Sequence, residues 1–446
     1  MSRAKAKAIH RQDGSLARAL VPILVLLLLA LLCSPGFSQE AERNIKFERI
    51  SVEDGLSQAF ANSIVQDRRG FMWFGTQEGL NLYDGHEFTV FSHDANDSNS
   101  VSHDLIKVLI EDSSGILWLG TDGGGLNRFD PVTQTFDRFQ HDPEDPTSIG
   151  SDRVWALLED QAGRLWVGTD DAGLYRLDRE TRAFTPFRHD AENPYSLSND
   201  QIRSMALDPA GFLWIATDGG GLNRVDPETG LFTHFQNDPA DPSSLASDRV
   251  RDVMVDSAGA VWVGTYDRGL DRLDLYGDGF VHYRADGATP GSLPADGVRR
   301  VYEDRSGSIW VGTHAGLCRY RPVLDTFQVL THDPVDPYSL SHNRIVSIYE
   351  DRGGVLWVGT FSGLNTWNTS TGYFVHYRGA DSEGGHGSGL SNAYVSAFAE
   401  DPSGDVWVGT YAGGLNRIQR ETGSFIYLRH HPRDPSSISE QSEMSQ

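Results

Sequence analysis

The stretch Asp112-Ser113-Ser114-Gly115-Ile116-Leu117-Trp118-Leu119-Gly120-Thr121-Asp122-Gly123-Gly124-Gly125-Leu126-Asn127-Arg128 decides the fold, because its pattern returns along most of the chain. Trp, an apolar residue, a small residue and Thr recur in eight copies, beginning at Trp73, Trp118, Trp166, Trp214, Trp262, Trp310, Trp357 and Trp407. The spacings are 45, 48, 48, 48, 48, 47 and 50 residues. Such a period belongs to propellers, in which one repeat supplies about four strands. Six residues before each Trp stands an Asp, from Asp67 to Asp401, and three before it a Gly, from Gly70 to Gly404. An Asp that accepts backbone N–H bonds and a Gly that turns the chain back describe a tight hairpin.

Upstream of each turn lies a β-rich stretch such as 250–255, and the Trp strand follows it. A Gly-Leu pair then opens a third stretch such as 126–129, and an aromatic-rich fourth follows, as in 184–187. Four antiparallel strands make one blade, so the chain reads as an all-β propeller of four-stranded blades with eight repeats. The recurring Trp fits between neighbouring blades. At about 25 cal/mol per Å² and roughly 150–250 Å² per ring, each contributes about 4–6 kcal/mol of gross burial. A ladder of ligand-stacking indoles is the competing reading. Identical spacing points first to a structural need.

The residues 112–128 resemble the two-component regulator propeller repeat, and the resemblance covers about residues 45 to 430. Ala216 departs from the motif Gly, and Tyr175, Asp271 and Cys318 depart from the Asn that follows Gly-Leu. The resemblance implies an extracytoplasmic sensor region, usually joined through a β-sandwich and a membrane helix to a histidine kinase or another output. No such segment follows the repeats before Gln446. Either the chain is truncated before its output, or it is a free-standing binding protein. Relatives of this kind commonly close seven blades. Two closures are therefore open: one ring of seven to eight blades, or seven blades plus the start of a second propeller. A lone blade would expose an apolar face and two sheet edges, which favours one ring. The longer gap before Trp407, with Glu383 to Ser388, favours a boundary there, and Lys46 to Ile50 could supply a closing strand. An Asp box of the sialidase type and a quinoprotein propeller both fail on Gly spacing.

Of 446 residues, 62 are acidic and 38 basic, a formal charge of −24. Five of the basic residues precede residue 39, leaving 33 basic against 61 acidic residues, or −28, in the remainder. Such a body argues against nucleic acid and against binding to anionic membrane surfaces. Gly 47 and 10% aromatic residues suit a turn-rich β protein. Cys33 and Cys318 are the two cysteines, too few for a cysteine-based metal site. A basic stretch ending at Arg18 precedes the apolar run from Ala19 to Cys33, which is short for a spanning helix. Residues 1–38 therefore read as a signal peptide, with a membrane anchor as the alternative. The body, residues 39–430, is expected in the periplasm or secreted, or anchored to the inner membrane facing the periplasm. Residues 431–446 read as a polar, disordered or truncated tail.

Positions shared by all copies serve the fold, and those that differ are free for specificity. The residue after the motif Thr differs: Gln77, Asp122, Asp170, Asp218, Tyr266, His314, Phe361 and Tyr411. These fall in loops between a second and a third strand, which gather on one face of a propeller. One arc is acidic and the opposite arc aromatic, suited to the hydroxyls and rings of a glycan or similar small polar ligand. The bland alternative is that they only finish turns. The run from His141 to Pro146, with relatives at His93, His189, Asn237 and His332, tempts a metal reading. Copies one blade apart cannot converge on one ion, and Asx-turns stiffened by Pro explain them better.

No catalytic order of Ser, His and Asp and no phosphate-cradling loop stands out. Cys318, in a structural slot, reads as a buried thiol. No cofactor and no metal is expected, and the chain is not read as an enzyme. The first reading is a ligand-binding sensor module with a signalling partner or an output domain. A glycan-active propeller enzyme using Asp122, Asp170 and Asp218, or a protein-interaction scaffold, are the alternatives.

Overall fold

The structure is a computed structural model. It describes residues 45–273, 279–368, 395–401, 405–410, 414–419, 425–431 and Ser437. The expected leader, residues 1–38, and most of the tail, residues 431–446, lie outside the described residues. Among the described residues no helix is long and apolar enough to cross a membrane.

The hairpin motif forms for the reasons its residues suggest, with one addition. In the first copy, Asp67 Oδ1 accepts the N–H groups of Arg69 and Phe71 at 2.9 and 3.1 Å. Its other oxygen accepts the indole N–H of Trp73 at 3.0 Å. The Asp therefore fastens the turn and satisfies the one polar atom of the buried ring. The same indole bond recurs at all eight copies, at 2.7–3.1 Å. Gly70 closes the turn at φ +100, a conformation costly for any side chain with a Cβ.

Two compact units divide after Gly372. In the first, six sheets each take four consecutive strands, and their inner strands are Ser63–Gln66, Ile106–Glu111, Val154–Glu159, Ile202–Leu207, Val250–Val255 and Val298–Glu303. The seventh blade has Ile345–Glu350 inside, then Val355–Thr360 and Gly363–Asn368, and its outer strand is the N-terminal Glu48–Ile50. Successive inner strands pack together, and the seventh returns against the first. Ser347 Oγ donates to the Ala61 carbonyl at 2.8 Å, and Phe60 stacks on Phe361 at 4.6 Å across that closure. The ring therefore has seven blades.

Of the two closures, the structure takes the one in which seven repeats close. The eighth repeat forms a sheet in the second unit, Val395–Glu400, Val406–Thr410, Gly414–Ile418 and Phe425–Leu428. The expectation that an unpaired blade would be drawn into a ring of eight fails for a physical reason. Glu48–Ile50 fills the outer edge of the seventh blade, and the seventh blade packs directly on the first.

The core lies between blades. The seven motif Trp rings of the first unit, from Trp73 to Trp357, are each 6% exposed or less. Trp73 meets Phe129 of the next blade edge-on at 5.5 Å, and Trp310 meets Trp367 likewise at 5.5 Å. The motif Gly is small because the next blade comes close. A Cβ on Gly168 would lie 2.5 Å from Ile202 Cγ2, and one on Gly312 2.7 Å from Ile345 Cγ2.

Candidate functional site

The residue after the motif Thr is fixed by its own backbone. The N–H groups of Asp122, Asp170, Asp218, Tyr266, His314 and Phe361 donate to carbonyls at the entry to their own blade's inner strand, those of Leu105, Arg153, Gln201, Arg249, Gly297 and Arg344, at 2.9–3.2 Å. These six positions therefore gather at one end of the ring, beside the axis. Gln77 is exposed at the same point of the first blade. Tyr411 lies outside the described residues.

A second set of residues, not singled out from the sequence, completes this end. In blades two to seven the pairing of the inner strand with the Trp strand shifts register by one residue. The extra residue is Lys107, Trp155, Arg203, Arg251, Arg299 or Val346. A bulge frees its residue from the ladder and re-aims its side chain. The signal was present: eleven residues before each Trp the type changes from copy to copy, as it does after Thr, but the bulge itself leaves no trace in the sequence.

The acidic arc is not free. Asp122 is held by Arg153 at 2.9 Å and Lys107 at 3.2 Å, and Asp218 by Arg203 at 3.0 Å and Arg249 at 3.1 Å. Asp170 pairs with both Arg153 and Arg203. Burial disfavours the Asp122 carboxylate, yet Arg153 and Lys107 outweigh it and hold its pKa below the usual range. The expected picture of carboxylates waiting for hydroxyl groups is thus altered, since each acid already has two cations.

Aromatic faces are also engaged by cations. Lys107 and Arg203 lie over Trp155 at 4.4 and 4.3 Å. Arg249 and Arg251 lie over Tyr266 at 4.8 and 4.6 Å. Arg344 lies over Phe361 at 4.2 Å, and Arg299 stands 5.6 Å from both Phe60 and Phe361. The indole N–H of Trp155 and Nε of Arg203 are buried and have no hydrogen-bond partner. His314 occupies space left by Gly297, where a Cβ would fall 2.5 Å from its Nδ1. Burial, then Arg251, Arg344 and Arg299, push the His314 pKa down, so it is neutral at pH 7 and accepts from Arg251 through Nε2 at 3.4 Å. This end of the ring combines planar apolar surface with guanidinium donors.

The His-Asp-Pro loops are turns. His93, His141, His189 and His332 each bond through Nδ1 to a carbonyl eight residues on, at 2.6–2.9 Å, and Asn237 replaces His with the same bond at 2.7 Å. The Asp that follows accepts an N–H two residues on, as Asp142 does from Glu144 at 2.9 Å. Among the described residues, no group of three or more His, Cys, Asp or Glu is placed to hold a metal ion. Cys318 is fully buried in the core beside Trp262 and Tyr320, where burial pushes its thiol pKa up.

A family model described as "Two component regulator propeller" matches residues 55–78, 148–171, 196–219, 244–267, 292–315, 339–362 and 389–412. The chain belongs to the two-component regulator propeller family. The copy at Trp118 is not among the segments matched, although it builds a full blade of this regulator propeller. The extracellular domain of a protein described as a hybrid two-component system, from B. thetaiotaomicron, is similar at 23% identity and a TM-score of 0.63, covering 87% of this chain and 55% of that one. PorZ of Porphyromonas gingivalis, a surface component of the type-IX secretion system, is similar at 20% identity and a TM-score of 0.56, covering 84% of this chain and 54% of that one. Virginiamycin B lyase of Staphylococcus aureus shares the fold at 12% identity and a TM-score of 0.53, covering 73% of this chain and 99% of that one. A histidine kinase P4 of Formosa agariphila is 42% identical over 59 residues, 13% of this regulator propeller and 4% of the kinase. The regulator propeller therefore spans about half the length of the first two structural relatives and a small part of the kinase.

Proposed function

We propose that the chain is an extracytoplasmic sensor module that binds a small polar ligand, such as a glycan, at the end of the ring where Tyr266, His314 and Phe361 lie, and passes that event to a signalling partner or output domain. The observation that supports this most is the sorting of positions. Residues repeated in every copy build turns and blade contacts, while those that vary meet around the axis at one end. The extracellular two-component domain among the structural relatives favours a sensor outside the cytoplasm. Delivery by the signal-like segment 1–38 to the periplasm or beyond, or its retention as an anchor, belongs to the same proposal. An enzyme built on Asp122, Asp170 and Asp218 is the weaker reading, since all three carboxylates are tied in ion pairs.

The test is calorimetric titration of the purified chain with neutral and charged oligosaccharides, repeated on Tyr266→Ala and Phe361→Ala. At least tenfold weaker binding in either variant is expected for any ligand found. Unchanged affinity in both would remove this face.

A further inference from the structure

The guanidinium groups at this end of the ring divide into two sets. Arg153, Arg203 and Arg249, with Lys107, are paired with Asp122, Asp170 and Asp218. Arg251, Arg299 and Arg344 have no ion pair among the described residues. Asp252, next to Arg251 in sequence, is engaged instead by Arg300 at 3.1 Å and by the N–H of Val301 at 2.7 Å. Asp267 accepts from Ser247 Oγ at 2.8 Å. Arg251 and Arg299 are half-buried, and Arg344 is exposed at the rim. In a chain of net charge −24, three cations gathered without an ion-pair partner need an explanation.

The electrostatics agree with the geometry. Burial first, then Arg251, Arg300 and Arg344, disfavour the charge on Arg299. Burial and the neighbouring Arg300 and Arg203 do the same to Arg251. A guanidinium does not give up its proton in neutral water, so the shifts record burial first and repulsion second, both of which a paired anion would offset. Arg forks suit carboxylate and sulfate oxygens, and the planes of Tyr266 and Phe361 suit a ring carried by the same ligand.

We propose that Arg251, Arg299 and Arg344, flanked by Arg203 and His314, form an oxyanion site at the axial end of the ring that takes the carboxylate or sulfate group of an acidic saccharide. This rests on the binding face proposed above and names its ligand class.

The full chain is titrated with a galacturonate trimer, a neutral galactose trimer and sodium sulfate, and compared with Arg251→Gln, Arg299→Gln and the double variant. The acidic trimer binds at least tenfold more tightly than the neutral one, and each single variant weakens it at least tenfold. The variants keep or raise Tm, since each removes a repelling charge, which separates lost binding from lost folding. Sulfate stabilises folded proteins generally, so its informative effect is the part of the Tm rise that the wild type shows and the double variant lacks. A neutral trimer that binds as well as the acidic one, in a manner sensitive to Tyr266→Ala, overturns the oxyanion site while leaving the binding face in place. A sulfate effect confined to the wild type, without preference for the acidic trimer, overturns the saccharide assignment. Equal sulfate effects in wild type and double variant, with acidic-trimer binding either absent or unchanged by the Arg substitutions, overturn the site itself.

Discussion

Replacing Asp208 by Ala tests the claim that the repeated Asp exists as much for the indole as for the turn. Asp208 is 2% exposed and accepts three N–H groups, those of Ala210 at 3.0 Å, Phe212 at 2.9 Å and Trp214 Nε1 at 3.1 Å. Ala210 is exposed and Phe212 half-buried, so water can replace the carboxylate at the turn, whereas Trp214 is fully buried. The stranded indole N–H therefore dominates the loss, at about 1–3 kcal/mol for an unsatisfied buried donor. Lost charge-assisted turn bonds bring the total to about 2–4 kcal/mol, after allowing for the relieved cost of burying the Asp208 charge. Trp214→Phe removes the donor while keeping a ring in place. In that background Asp208→Ala should cost about 1–3 kcal/mol less, which a double-mutant cycle reads directly. Urea unfolding of the four proteins, with m unchanged across them, supplies the cycle. Coupling within about 0.5 kcal/mol of zero would refute the argument and return Asp208 to a turn residue alone.

Two further outcomes follow from the ring. Phe47, 2% exposed, sits in one apolar cluster with Trp310 and Trp367, so Phe47→Ala should destabilise the first unit by about 3–5 kcal/mol in the same urea assay. In the fifth blade, His282 bonds Asp271 at 2.7 Å, and that bond raises the His282 pKa. A raised folded pKa means stability that is fully present below the unfolded value of about 6.5 and is lost as pH climbs through the folded value. The stability difference between wild type and His282→Gln should therefore be larger near about pH 5.5 than near about pH 8.5, and a difference independent of pH would show that the pair is never charged.

The blade was legible because its determinants are local. Asp67, Gly70 and Trp73 lie within seven residues, and their spacing alone forces a hairpin with a ring behind it. Ring size was not legible in the same way. It depends on Glu48–Ile50 pairing with Gly363–Asn368, a partnership between distant segments that no periodicity encodes. At the candidate site, Tyr266, His314 and Phe361 were found by the same sorting that found the fold. Arg203, Arg251 and Arg299 were missed because they read as ordinary alternating strand residues, and a one-residue bulge turned them toward the axis. The meaning of Asp122 changed for a related reason: its partner Arg153 belongs to the next repeat, so the charge of the arc is set by neighbours and not by the loop that carries it.

The union of Ile50 with Leu364 also sets an order of events in time. The strand made first must wait, unpaired, until the seventh repeat has been synthesised and packed, so the circle cannot lock while the chain is still growing through its middle. Contacts so remote carry a large loop-closure cost and make the last step slow. Until that step, the outer edge of the seventh blade stands bare and open to pairing with another chain, and so does the strand Glu48–Ile50 that is to cover it.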